Sequence, residues 1–514
     1  MSASVGWGVV LDCGSSGTRA HIFHWQNGSV IDEFFPPSEA DEDLLRLRPG
    51  ISSFASDPAG VHEYIAPLLL QVQRWVPVEA QQATQLRAFA TAGMRLHSAS
   101  VQEAIWAELR TVFTASPFAF KAADAVTISG NFEGLFGWLS AREVMASAGA
   151  GFGMLDLGGA STQIAVAPTS SIILEDAYRV RRGQAEYRVY SHSYMRTGID
   201  QAQLRAAQRL YDASPSGAAE LFHPCYNTGY SKQMQVCGPG GDGCELRTFS
   251  GSGNWSECHE LTTAILHPEY ECLQPPCAAL GVYQPAIADA SIIATSTFFY
   301  IASGLGLVGA SGEWRGPPSM MASAGEVYCA KPWAAIASRY AGHNCFGSAF
   351  IVSLLAAYHI PADSDKLTFG RKFGGRSVEW PLGAQMFHLA EQRCSFAREE
   401  EKQVGELTDS QGGPAAWDNC PRAEGGARTA GARAGGGPAL FWADEAPAAP
   451  TTAVLSYMGG SAELMSTSGV SSGFIAAVVL LLALAAAIKR RLHSAESQAA
   501  ATWAVKRRRD VYML

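Results

Sequence analysis

Asp12-Cys-Gly-Ser-Ser-Gly-Thr18 and Asp156-Leu-Gly-Gly-Ala-Ser-Thr162 are the two segments on which the reading of this chain turns. Both carry Asp at the first position, Gly two residues on and Thr six residues on. Each follows an apolar run (GVVL before Asp12, FGML before Asp156) and precedes another (AHIF and IAV). The pattern is strand, short glycine-rich turn, strand. Glycine lets the backbone approach a ligand and aim successive N–H groups at it, as an anion nest does. Hydroxyls in the same turns add donors, and an aspartate at a strand end can hold a divalent cation, directly or through water. One such turn alone is as readily an ordinary hairpin. Two with the same offsets imply two related lobes with a phosphate-binding cleft between them.

Two further segments extend the pattern. Thr91 and Arg95, in Ala90-Thr-Ala-Gly-Met-Arg95, follow the strand-like LRAF and so sit at a strand end. Glu133 lies between the apolar AVTI and the helix-like LFGWLSAREVM. A carboxylate at such a junction beside a phosphate cleft can serve as general base for water; alone, it would be a helix-start Glu favoured by the dipole. Residues 7–11, 19–25, 152–157 and 162–167 read as strands, and 58–74 and 99–113 as helices by apolar spacing. Alternating strands and helices give an α/β fold.

The chain has 514 residues, too many for a single core, and at 47% hydrophobic and 17% charged it is not a disordered polymer. Net charge is −9, and basic residues concentrate after Ile488, with seven Lys/Arg against two Asp/Glu. The folded part therefore lacks the basic footprint of a nucleic-acid binder. Residues 469–488 carry no charge and end at Lys489-Arg-Arg491, the pattern of a membrane-spanning helix with a cytoplasmic basic flank. The expected organisation is a first lobe over residues 1–163 and a second over 164–396, with residues 376–396 free to return to the first. A Gly/Ala/Pro-rich stalk follows over 397–468, then the span at 469–488 and a basic tail at 489–514.

Ten of the eleven cysteines lie between Cys225 and Cys420, while Cys13 stands apart. The group suggests disulfides and an oxidising compartment. Residues 1–15 have neither a basic leader nor a long apolar run, so the expectation is a signal or span upstream of Met1. Residues 223–283, rich in Cys, Gly and Pro, read as an irregular disulfide-tied insert. Asn27-Gly-Ser and Asn254-Trp-Ser are glycosylation tripeptides. His192 reads as structural; Arg19 can touch phosphate, and Arg95 more readily ties its turn to a carboxylate.

DCGSSGTR, ATAGMR, GNFEGLFGW and LDLGGASTQIAV resemble, in order, four signature regions of the nucleoside triphosphate diphosphohydrolases, or apyrases. STFFYIASGLG (296–306) stands where a looser fifth region belongs, and CFGSAFIVSLL and WPLGAQM fit the end of the domain. The resemblance covers about residues 7–396. It implies a two-lobed actin-like (ribonuclease H-like) α/β fold that hydrolyses terminal phosphates of nucleoside tri- and diphosphates with Ca2+ or Mg2+. By motif position, Glu133 is the base, Ser161 orients the water, and Thr91 and Gln163 contact the nucleophile or the metal's water shell. Asp12 and Asp156 hold the metal through water. Ser15, Ser16, Gly17, Thr18, Gly158, Gly159 and Ala160 cradle phosphates, and Phe350 stacks on the base. The family pairs cysteines comparable to Cys272 with Cys277 and Cys329 with Cys345. The resemblance also places the catalytic domain outside the cell or in a secretory lumen and allows an oligomer. Two other classes compete: an actin-like phosphotransferase or exopolyphosphatase, and an inactive nucleotide-binding ectodomain.

Overall fold

Each Asp/Gly/Thr segment is the turn of an antiparallel hairpin, and each hairpin anchors its own sheet. The structure, a computed structural model, describes residues 5–390 except 27–30, 37, 146–150, 170–172, 174, 183–184, 216–217, 219, 239–242 and 337–340. In the first lobe, strand Val5–Cys13 pairs with Thr18–Gln26 so that Asp12 faces Arg19 and Cys13 faces Thr18. On its other side it runs parallel to Gln85–Ala90, which continues the sheet to Ala125–Thr127. In the second lobe, Phe152–Leu157 pairs with Ser161–Val166, Asp156 facing Gln163, and runs parallel to Ser291–Ser296, which adjoins Leu367–Gly370. The two sheets thus repeat one design: a hairpin, then parallel strands.

Parallel strands need covered faces. Helices Val61–Trp75 and Ala99–Thr114 cover the outer face of the first sheet, burying Val61, Ile65, Leu68 and Val72 from one and Ile105, Leu109 and Phe113 from the other. These positions are spaced by three and four, the helical period that predicts one apolar face. Between the sheets lies helix Gly130–Val144, started by Ser129, whose Oγ accepts from Phe132 N at 3.2 Å. It is buried nearly all round: Leu135, Phe136 and Trp138 pack with Val10 and Phe89 of the first sheet and Met154 and Ala165 of the second. The Trp138 indole donates to Phe152 O at 3.1 Å.

Residues 380–390 are helical, and Trp380, Leu382 and Ala384 pack with Val10 and Phe89 of the first sheet. Trp380 meets the Phe89 ring, and Arg87 donates to Gln385 at 3.4 Å. The boundary expected at 163 is corrected: it would cut strand Ser161–Val166, whose hairpin partner Phe152–Leu157 belongs to the second sheet, so the second lobe begins before Phe152. The error arose because the echo was read as two turns of one site, whereas each turn belongs to a different sheet.

The cysteine-rich insert is more regular than its composition suggests. It contains a sheet of Leu221–His223, Glu245–Gly251 and Ser231–Val236, and helix Trp255–Ala264. Cys225 bonds Cys258, Cys237 bonds Cys244, Cys272 bonds Cys277 and Cys329 bonds Cys345. Asn254 caps that helix, accepting from Glu257 N at 3.3 Å, and its side chain is exposed. Among the described residues no helix is long and apolar enough to cross a membrane. The expected span, stalk and tail, together with Asn27, Cys394 and Cys420, lie outside the described residues.

Gly383 tests the packing between the two central helices. A Cβ there would stand 1.8 Å from Phe136 O, which belongs to backbone and cannot swing away. Gly383→Ala is expected to destabilise the protein by about 1–3 kcal/mol. Urea unfolding measures this; wild-type stability would show that the two helices do not pack as described.

Candidate active site

The two turns face each other across a cleft of about 250 Å3 lined by both lobes. From the first come Asp12, Ser15, Ser16, Gly17, Thr18, Thr91 and Glu133; from the second, Asp156, Gly158, Gly159, Ala160 and Ser161. All twelve are residues that the sequence singled out. Close approach explains the glycines. A Cβ on Gly17 would stand 2.5 Å from Leu47 O, and one on Gly159 would stand 2.7 Å from both Ser15 Oγ and Asp200 Oδ2.

The second turn is oriented by helix Ile199–Ala213. Its first N–H groups lack intrahelical partners and take the turn's carbonyls: Ile199 N donates to Gly158 O at 2.9 Å and Asp200 N to Gly159 O at 3.0 Å. A trans peptide carries C=O and N–H on opposite sides. The N–H groups of Gly159 and Ala160 are therefore turned away from that helix.

Glu133 stands in the first turn of its helix, 9% exposed. Its Oε2 accepts from Gln163 Nε2 at 3.1 Å and pairs with the Arg95 guanidinium. Gln163 also reaches Ser161 Oγ at 2.7 Å and Ser193 Oγ at 2.9 Å. The carboxylate that Arg95 ties is thus Glu133 itself. Burial pushes the Glu133 carboxyl up to about 8, with Arg95 working against the shift and Asp156 and Asp12 adding to it. Burial likewise raises Asp12 and Asp156, each to about 6.

Asp12 Oδ1 is buried with no hydrogen-bond partner. Two partly buried aspartates at the ends of corresponding strands, one with an orphaned oxygen, suit a divalent cation. Among the described residues no cluster of three or more His, Cys, Asp or Glu could grip one directly. Two oxygen donors fit an ion that keeps much of its water.

Phe350 is corrected. It is fully buried in the second lobe's core, stacked with Phe346 at 5.8 Å, and does not line the cleft. Helix Asn344–Ala357 is buried nearly all round, so an aromatic there serves packing. The aromatics that do line the cleft are Phe299, Tyr300 and Trp380. Phe299 and Tyr300 follow Ser296, which holds a φ of 57° at the end of its strand. Cys13 is buried and free, and His192 bonds Asp176 at 2.5 Å, a structural pairing.

Sequence reasoning missed a charged group that lines the cleft. Arg46, Arg48, Arg371 and Glu379 line it together with Arg19. Arg19 pairs with Glu379 at 2.7 Å. Behind them His21, 1% exposed, bonds Glu33 at 2.6 Å. Burial opposes the charge on His21, but Glu33 outweighs it and raises the imidazole's pKa. Burial would also raise Glu379, yet Arg19, His21 and Arg371 outweigh it and hold that carboxyl below the usual range. The one quoted segment near them is WPLGAQM, which begins just after Glu379.

Two lobes of repeated sheet design, each presenting a glycine turn and an aspartate to a shared cleft, define an actin-like phosphate-processing enzyme. Comparison with known proteins is specific within that class: the chain belongs to the GDA1/CD39 (nucleoside phosphatase) family, whose pattern matches residues 1–404. It is 30% identical over 423 residues to "Probable apyrase 4" of Arabidopsis thaliana, covering 78% of this chain and 82% of that one. It is also 30% identical over 414 residues to "Ectonucleoside triphosphate diphosphohydrolase 2" of Rattus norvegicus, covering 73% and 81%. Among solved structures, one of nucleoside triphosphate hydrolases from Neospora caninum superposes with a TM-score of 0.54 at 14% identity, over 75% of this chain and 92% of that one. That likeness shows the shared fold.

The raised carboxyls make a cation's effect depend on pH. Each binds its proton more tightly folded than unfolded, so its contribution to stability is complete below about pH 4 and declines as pH rises toward 8. A divalent cation competes with those protons. Mg2+ or Ca2+ is therefore expected to raise the melting temperature more at pH 8 than at pH 5, and to lose that effect in Asp12→Asn/Asp156→Asn. Equal shifts at both pH values, or in the double variant, would exclude these aspartates as the cation's site.

Proposed function

We propose that the protein hydrolyses the terminal phosphate of nucleoside tri- and diphosphates by direct attack of water, with Glu133 as general base. The observation that carries this reading is the Glu133–Gln163–Ser161 chain opening on a cleft between two glycine turns. The names of the similar apyrases and triphosphate diphosphohydrolases support the substrate class.

Ser161 Oγ and the Glu133 carboxylate hold the water, and Glu133 accepts its proton. Gln163 bonds both and fixes their separation. A base works best with a pKa near the working pH, and burial brings Glu133 there. The phosphate oxygens lie against the turns, Ser15–Thr18 from one lobe and Gly158–Ala160 from the other, where backbone N–H groups stabilise charge without reorganising. Thr91, 5% exposed at its strand end, adds a hydroxyl on the first-lobe side. Asp12 and Asp156 hold a Ca2+ or Mg2+ ion through water. That ion, when bound, neutralises charge on the phosphate oxygens. Positioning and electrostatics suffice for such a reaction, and no residue need become phosphorylated.

The four disulfides support a catalytic unit that matures outside the cytosol. Residues 469–488 are the proposed anchor.

Glu133→Gln is expected to lower kcat by about 10²–10⁴-fold while nucleotide binding persists. Ser161→Ala should lower kcat as well, and a chelator should abolish phosphate release from ATP and ADP. Phosphate-release assays decide: full activity in Glu133→Gln would sink the assignment of the base.

A further inference from the structure

The cleft holds unmatched charge of both signs. Glu133 is paired with Arg95, and Arg19 with Glu379. Asp12 and Asp156 remain for a cation. Arg46 and Arg371 remain as well: both line the cleft, both are partly buried, and among the described residues neither guanidinium has an ion pair or a hydrogen bond.

Their placement is unfavourable in the empty protein. The short strand Arg46–Leu47 pairs with Thr18–Gln26 so that Arg46 lies directly opposite Arg19. Like charges directly opposite on neighbouring strands destabilise a sheet. Glu379, which attracts both Arg46 and Arg371, is already held by Arg19 at 2.7 Å. Burial and the facing Arg19 lower the basicity of Arg46; Glu379 works against them and Arg371 adds to the lowering. Three guanidiniums crowded around one carboxylate, which Arg19 already holds, call for an anion from outside.

We infer that Arg46 and Arg371 form a second anion subsite, which binds the phosphates of a nucleotide that are not hydrolysed. This deepens the proposed function and rests on it. The terminal phosphate lies between the turns, flanked by Asp12, Asp156 and Glu133. The rest of the phosphate chain must leave along the cleft, and guanidinium is the group best matched to phosphate geometry. The subsite therefore reads chain length: it engages di- and triphosphates and leaves orthophosphate untouched. Arg19 is excluded from this role because Glu379 holds it at 2.7 Å.

The test is equilibrium binding, independent of turnover. Calorimetry with Mg2+ present compares the β,γ-methylene analogue of a nucleoside triphosphate with orthophosphate, on the wild type, Arg46→Gln and Arg371→Gln. Each variant is expected to bind the analogue about ten-fold more weakly or worse and orthophosphate about as tightly as the wild type. In turnover the loss falls more on KM than on kcat. Without ligand, Arg46→Gln is expected to melt higher than the wild type, since a repulsion is gone; a merely structural arginine would do the opposite. Unchanged affinity for the analogue overturns the subsite. So does an equal loss for orthophosphate, which would place both arginines at the terminal phosphate, and so does a wild type that binds neither anion. A wild type that binds the analogue yet hydrolyses no nucleotide counts against the proposed function, and the binding ratios still judge the subsite.

Discussion

Two carboxylates brought to one cleft, Asp12 and Asp156, set the terms for this fold. Burying an ionised group without a partner is costly, and the usual escape is protonation. Here both groups sit at the same point of the same strand design, one in each lobe, so their fields converge on one cleft. A cation between them relieves both at once. Around that convergence stand glycine turns that bring backbone N–H groups close, a buried glutamate whose pKa the two aspartates help to raise, and Arg19, which faces Asp12 across the hairpin.

The duplicated sheets deliver this arrangement economically. In each lobe the aspartate is the last or next-to-last residue of a strand whose hairpin partner starts after a few turn residues, and a parallel neighbour ends beside it. Thr91 follows that neighbour in the first lobe, and Ser296, which bonds Asp156, ends it in the second. Helix Gly130–Val144, packed on both sheets, carries Glu133 to the junction. Because its flanks are apolar nearly all round, Glu133 cannot move without disturbing the core that joins the lobes.

The sequence made the site's local parts legible because each depends on residues a few positions apart. The Asp/Gly/Thr offsets, Thr91 after LRAF and Glu133 at a helix start all fall where they were expected. The parts that escaped notice depend on pairings across the chain. Arg19 and Glu379 are 360 residues apart, and no local pattern announces that they meet. Arg46 became interesting only once strand pairing set it against Arg19. Phe350 failed for the opposite reason: an aromatic on an apolar helix has two possible partners, a base or a core, and composition does not choose. The lobe boundary failed because a repeat in sequence marks equivalent positions, not a shared sheet.

Cys13 shows what the burial of one small side chain achieves. An environment oxidising enough to close four disulfides in the second lobe would attack any exposed thiol in the first. Cys13 is 1% exposed, and burial pushes its thiol far above the ordinary range, so it stays neutral and unreactive. A single chain can therefore be stapled in one lobe and chemically inert in the other. The glycine turn that follows Cys13 thus carries no exposed thiol.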